Sequence, residues 1–164
     1  MSKIYILVIE DELEVMDVIV RDLNIFEKYF PIETASNVTE AKKVVEKIYK
    51  NKDKVGIFIC DHIMPGENGV DYLVELQKDK ETSKSRKVLL TGQAGLEATI
   101  KAINEAGLNN YISKPWKKEE LISVVKDNLT EFVINNEENL LKYMSILNAS
   151  KLAEVARQKI PLKE

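Results

Sequence analysis

The sequence predicts an α/β fold: a doubly wound parallel sheet of five strands, with strand one near the middle and a helical extension at the C-terminus. Two observations carry this. Short, nearly continuous apolar runs alternate five times with stretches whose apolar residues recur at helical spacing, as expected for strands buried on both faces beneath covering helices. Four of the runs end on polar residues, Glu10-Asp11, Asp61, Thr91 and Lys114, and ligand chemistry in open α/β sheets sits just beyond the carboxyl ends of strands. Right-handed crossovers leave few topologies for this count.

Residues 3–9, Lys-Ile-Tyr-Ile-Leu-Val-Ile, are rich in β-branched side chains and predict the central strand, which ends on Glu10-Asp11-Glu12. Leu13, Met16, Val20 and Leu23, with Val15 and Ile19 beside them, predict an amphipathic helix to about Phe26. Pro31 precedes a short strand over 32–35. Ser36 or Asn37 can cap a helix with Val38, Ala41, Val44, Val45 and Ile48 on its apolar face. The charged run 50–54 reads as a solvated loop. Gly56 precedes the strand 57–60, after which Asp61 leads into the turn signal Met64-Pro65-Gly66. Asn68-Gly69 is a turn before a helix carrying Val70, Leu73, Val74 and Leu76, and the polar stretch 79–86 reads as loop. A fourth strand, 87–91, is closed by Gly92. The next helix, 96–106, carries Ile100 and Ile103 on one face and stops at Gly107. Strand five, 110–113, runs into Lys114-Pro115, and a helix carrying Leu121, Ile122, Val124, Val125 and Leu129 follows.

Composition narrows the function classes. The chain has 164 residues, 45% hydrophobic and 31% charged, enough for one domain with a real core plus an appendage. A net charge of −3 with dispersed Lys and Arg gives no reason to expect nucleic acid as a direct partner. The one cysteine, Cys60, lies inside an apolar strand and reads as a buried hydrophobe, so neither a disulfide framework nor a Cys-based metal site is expected. Residues 4–9 are too short for a signal peptide, and no stretch approaches the length of a membrane span; a cytoplasmic location is the expectation.

Three carboxylates at neighbouring strand ends repel one another unless a cation is present. An all-oxygen set suits Mg²⁺. A lysine, a hydroxyl and a divalent cation around an aspartate make a phosphoryl-transfer site, with the aspartate as nucleophile. This set resembles the receiver domain of two-component response regulators. The motifs are Glu10-Asp11, Asp61-His62-Ile63-Met64-Pro65-Gly66, Thr91-Gly92 and Tyr111-Ile112-Ser113-Lys114-Pro115, over roughly residues 3–130. Each is weak alone, and together and in order they are specific. The resemblance implies a flavodoxin-like strand order of 2-1-3-4-5, with a receiver domain over 1–130 and a helical extension over 131–164. It implies that Asp61 accepts a phosphoryl group from a sensor histidine kinase or phosphotransfer protein. Mg²⁺ would be held by Asp11, Asp61 and the backbone carbonyl of Ile63, with Glu10 acting mainly through water. Lys114 would pair with Asp61 and then with a phosphoryl oxygen, and its bond to Pro115 would be cis. Thr91 and Tyr111 would be the switch pair, coupling phosphorylation to the face formed by helix four, strand five and helix five. The family is a signalling phosphoacceptor, not a conventional enzyme.

His62, the only histidine, is expected to face solvent. Gln93 is expected to overhang the site and to influence the lifetime of the phosphorylated state. An Asp-nucleophile, Mg²⁺-dependent phosphatase of the haloacid dehalogenase type needs a second Asp two residues after the nucleophile, where this chain has Ile63. A phosphorylation-independent docking module is the other alternative, but such receivers usually lack an acid or the lysine, and this chain keeps all of them. In the tail, Leu129, Val133, Asn136, Leu140, Met144 and Leu147 step by four and three residues. This spacing predicts a helix that pairs two chains as a coiled-coil seam, giving a homodimer through helix five and the extension. The alternatives are an amphipathic helix folded back on its own domain, or a break at Asn135-Asn136-Glu137-Glu138. The tail is too short for a DNA-binding output domain.

Overall fold

The computed structural model describes residues 2–92 and 94–159. Its sheet has five parallel strands: β1 (Ile4–Ile9), β2 (Ile32–Ala35), β3 (Lys54–Cys60), β4 (Arg86–Thr91) and β5 (Asn110–Ser113), in the order β2-β1-β3-β4-β5. Helices α1 (Leu13–Asp22), α2 (Val38–Lys50), α3 (Gly69–Lys78), α4 (Leu96–Glu105) and α5 (Lys118–Asn136) alternate with the strands, and α6 (Ala149–Gln158) follows. The period-two alternation along the strands divides the core. Ile6, Val8, Ile57, Ile59, Val88 and Leu90 join α1 and α5 on one face. Leu7, Ile9, Phe58, Cys60 and Leu89 join α2 and α3 on the other. No helix among the described residues is long and apolar enough to cross a membrane.

Gly56 lies inside β3, where the register with β1 shifts between Tyr5 and Ile6. A Cβ there would stand 2.6 Å from Cγ2 of Ile4, so the extra residue of this irregularity has to be glycine. The strand begins at Lys54, earlier than its apolar run, because pairing with Ile4 and Tyr5 recruits residues that periodicity leaves in a loop. On α1 the buried apolar side chains are Met16 and Ile19, continued by Leu23, whereas Leu13 is 71% exposed. On α4 the core contact is made by Ala102 and then Ala106, and Leu96, Ile100 and Ile103 stand in solvent. The apolar stripe read from that helix therefore faces outward.

The tail departs most from expectation. The α5 helix continues past position 130 but ends at Asn136, with Glu137 in an extended conformation. A 3-10 turn over Leu141–Tyr143 follows, and then α6, capped by the Asn148 side chain accepting the Lys151 N–H. The coiled-coil seam does not form. Leu129, Val133, Leu140 and Leu147 are at most 3% exposed, buried against this chain's own α1–α5 core together with Tyr143 and Leu152. The Tyr143 ring stacks on Phe30 at 5.3 Å. Ser145 donates to the Tyr29 hydroxyl, and Lys54 pairs with Glu137 at 2.8 Å. The fold-back alternative and the break after Asn136 are what the chain adopts. Phe26, Phe30 and Tyr29 supply an apolar surface that the heptad count could not include.

Candidate functional site

Backbone hydrogen bonds that run past the strand ends set the site. The N–H of Glu10 donates to Ala35, that of Asp61 to Ile9 and that of Lys114 to Thr91, which holds all three at the same edge of the sheet. Glu10, Asp11 and Asp61 bring one carboxylate oxygen each within 4.8 Å of one another. The Nζ of Lys114 bridges two of them, 2.5 Å from Oε1 of Glu10 and 3.0 Å from Oδ2 of Asp61. The other oxygen of Asp61 accepts the His62 N–H at 2.7 Å, and Oε2 of Glu10 accepts the Glu12 N–H at 3.1 Å. Asp61 is thus fixed at both oxygens. The Lys114–Pro115 peptide bond is cis. A cavity of about 260 Å³ opens here, lined by Asp11, Asp61, Ile63, Thr91, Gly92 and Lys114.

The charges do not cancel within the protein. Three carboxylates and one ammonium leave a formal −2 at one spot, with Glu10 1% exposed and Asp61 6%. Burial raises the Glu10 pKa, and the hydrogen bond from Lys114 only partly opposes it. Burial also works against the Lys114 ammonium, but its bonds to Glu10 and Asp61 outweigh that and raise its pKa above that of an ordinary lysine. The lysine therefore stays charged. An all-oxygen cluster with two uncompensated negative charges fits a hard divalent cation.

Thr91 is 1% exposed at the end of β4. Tyr111, on the edge strand β5, is 38% exposed, with its hydroxyl 3.5 Å from the Thr91 carbonyl, the outer limit of a hydrogen bond. His62 corrects an expectation: it is 8% exposed, not solvent-facing. Its carbonyl accepts the Gly69 N–H at 2.8 Å and its Nδ1 faces the Val70 N–H at 3.4 Å, so the imidazole packs under the first turn of α3. Burial lowers its pKa, which suits a neutral ring accepting from a backbone amide. Sequence reading also missed Gly69. A Cβ there would lie 1.8 Å from the Asp61 carbonyl oxygen, so only glycine lets α3 start against the strand that carries Asp61. The Asn68-Gly69 pair signals a turn, but Asn68 is the N-cap of α3 and accepts the Asp71 N–H. Gln93 lies outside the described residues.

Comparison with known proteins agrees with this geometry. The family model described as the response regulator receiver domain matches residues 6–126. The hydrogenase transcriptional regulatory protein HoxA of Cupriavidus necator is 31% identical over 121 residues, covering 74% of this chain and 23% of that protein. The response regulator SaeR of Staphylococcus aureus is 24% identical over 163 residues, covering 97% of this chain and 67% of its own length. The chain spans about a quarter of the length of the HoxA proteins it matches, at 23% and 25%. A CheY-like receiver domain protein from Methanospirillum hungatei superposes with a TM-score of 0.68 at 24% identity, over 80% of this chain and 97% of that one. The chain belongs to the response regulator receiver domain family, whose members are signalling phosphoacceptors of two-component systems rather than conventional enzymes.

Proposed function

We propose that Asp61 accepts a phosphoryl group from a phosphohistidine on a sensor histidine kinase or phosphotransfer protein, in a cytoplasmic, Mg²⁺-dependent step. The observation that carries this is the convergence of Glu10, Asp11, Asp61 and Lys114 at the sheet edge, beside a small cavity that Asp11, Asp61 and Lys114 line. A carboxylate oxygen of Asp61 attacks phosphorus as the phosphorus–nitrogen bond to the donor histidine breaks, giving an acyl phosphate. Lys114 and the His62 N–H hold Asp61 in one orientation, so little reorganisation precedes attack. Asp11, Asp61 and the Ile63 carbonyl would hold Mg²⁺, with Glu10 acting through water, and the bound ion would supply charge neutralisation for the phosphoryl oxygens. After transfer, Lys114 and the Thr91 hydroxyl serve as donors to the phosphoryl group.

Thr91 and Tyr111 then act as the switch. Movement of Thr91 alters the packing of the Tyr111 ring, and the surface affected is α4, β5 and α5. The exposed Leu96, Ile100 and Ile103 recur along α4, which leads into that strand, and give the switched face an apolar surface for a partner or a second copy. Pairing, if driven by phosphorylation, belongs there and not to the tail, whose apolar residues are already buried.

Incubation with a radiolabelled acyl phosphate tests the assignment. Wild-type protein is expected to take up label in a Mg²⁺-dependent manner and Asp61→Asn to take up none. Undiminished labelling of the variant would remove Asp61 from the role.

A further inference from the structure

A groove of about 650 Å³ runs between α2 and α3, away from the Asp61 cavity. Its walls are two facing stripes, positions 42, 45, 46 and 49 on α2, the i, i+3, i+4, i+7 pattern of one helix face, and positions 72, 75 and 76 on α3, continued by Asp79 just past its end. The half-buried Val45 and Tyr49 give it an apolar lining, with Tyr72 and Leu76 nearly buried beneath them at 3% and 5% exposure. Both rings are held in place: the Tyr49 hydroxyl accepts the Val55 N–H at 3.1 Å, and Tyr72 packs edge-on to Phe58 at 6.4 Å. The surface is therefore formed in advance of any ligand.

The rim is acidic. Glu46, Glu75, Asp79 and Glu81 line it against only Lys42 and Lys50. At one end the protein supplies its own cation. The Nζ of Lys42 sits 6.0 Å from the Tyr72 ring centroid, 3.1 Å from Glu67 and 3.6 Å from Glu75. Contact with Glu67 still holds the Glu75 pKa up, so one lysine leaves the pair underneutralised. Glu46, Asp79 and Glu81 line the same groove as Tyr49, and none of the three has an ion-pair partner among the described residues. A groove lined by an aromatic ring and by unpaired acids suits a cation on an apolar stem, as Arg and Lys provide.

We propose that the α2–α3 groove docks a basic amphipathic segment of a partner protein, its apolar side chains against Val45 and Tyr49 and an Arg or Lys among Glu46, Asp79 and Glu81. The stripes extend over seven residues, roughly 10 Å, which matches about two turns of a docked helix. The proposal does not depend on phosphorylation of Asp61.

The test uses the full chain, ¹⁵N-labelled, titrated with a capped helix-forming peptide of about 15 residues, long enough to hold helix in water, with Leu and Arg on one face. A second peptide carries Glu for each Arg, and spermine serves as a cation without an apolar face. The expected result is saturable binding of the Arg peptide alone, with amide shifts at Tyr49, Tyr72 and Glu81. Glu46→Lys with Asp79→Lys, both exposed positions, is expected to weaken binding by about tenfold or more. Retained helical circular dichroism would show that this variant is folded. Absence of saturable binding, shifts confined to another face, or equal affinity in the charge-reversed variant would overturn the proposal. Spermine binding as tightly as the peptide would overturn the partner-segment assignment in favour of a polyamine site.

Discussion

Leu152→Ala separates an intramolecular tail from a tail that pairs two chains. Leu152 on α6 is fully buried and belongs to the same core as Phe26, Phe30 and Leu129. Truncation removes the transfer free energy of the buried leucine and leaves a cavity that the anchored neighbours fill only partly. Lys151 pairs with Glu131, and the Asn148 N–H donates to the Thr130 hydroxyl at 3.3 Å, so the start of α6 is pinned to α5 beside the gap. Leu→Ala changes at such sites cost about 2–5 kcal/mol. For a chain of this length each kcal/mol lowers Tm by roughly 2–4 °C. A fall of about 4–20 °C is therefore expected, the same at low and high protein concentration, because the contact lies within one chain. Urea melts should show a lower midpoint with an unchanged slope. A loss below about 0.5 kcal/mol, typical of surface substitutions, would refute the packing argument. A loss that grows on dilution would refute its intramolecular nature.

Three other perturbations bear on the site and the core. Lys114→Ala leaves Glu10 and Asp61 without their shared ammonium. Divalent-cation affinity in a calorimetric titration is expected to stay the same or tighten, while amide shifts at Tyr111 on addition of beryllofluoride disappear. A normal Tyr111 response would argue against the role given to the lysine. Gly69→Ala forces a Cβ to 1.8 Å from the Asp61 carbonyl and 2.8 Å from the Cys60 Sγ. Overpacking against backbone is expected to cost about 1–3 kcal/mol or more and to slow phosphoryl uptake, with wild-type melting and labelling as the contrary result.

Lys87→Met tests a buried lysine, 1% exposed, whose Nζ donates to Gln77, Ser85 and Thr82. Orphaning those acceptors is expected to cost about 1–3 kcal/mol. Burial, with the nearby Arg86 charge, lowers the Lys87 pKa to about 8 from 10.5. Between those values the unfolded chain binds a proton that the folded chain does not, so this group makes stability rise with pH across the window. The rise should be absent from the variant, and identical pH profiles of the two proteins in chemical melts would remove Lys87 as its source.

The sheet was legible because its causes are local. Apolar β-branched runs, helical spacing and turn residues recur along the chain, and each strand end carries its polar residue within one or two positions of the apolar run. Glu10, Asp11, Asp61, Thr91 and Lys114 could therefore be placed on one edge once the strands were parallel. His62 was misplaced because its burial depends on the start of α3, which comes back over it only because Gly69 has no side chain. Lys87 reads as an ordinary strand-edge lysine, and its carbonyl cage comes from a 3-10 turn over Thr82–Lys84 that has no periodicity.

What the sequence by itself determined was the alternation of elements, the sheet they form and the identity of the groups at its edge. Period-two and period-3.6 patterns record burial one element at a time. Tertiary structure alone decided which apolar surfaces meet. The leucines of the tail carry a seam spacing that two chains or one chain can satisfy. The choice fell to Phe26, Phe30 and Tyr29, far away in sequence, which share the core with the tail and meet it at Tyr143 and Ser145. The outward stripe on α4 was settled in the same way: Ala102 and Ala106 turn into the core that α4 shares with α3, and the larger Ile100 and Ile103 remain outside. Burial of a side chain requires a partner surface, and a partner brought near by the fold leaves no trace in the spacing of the residues it covers.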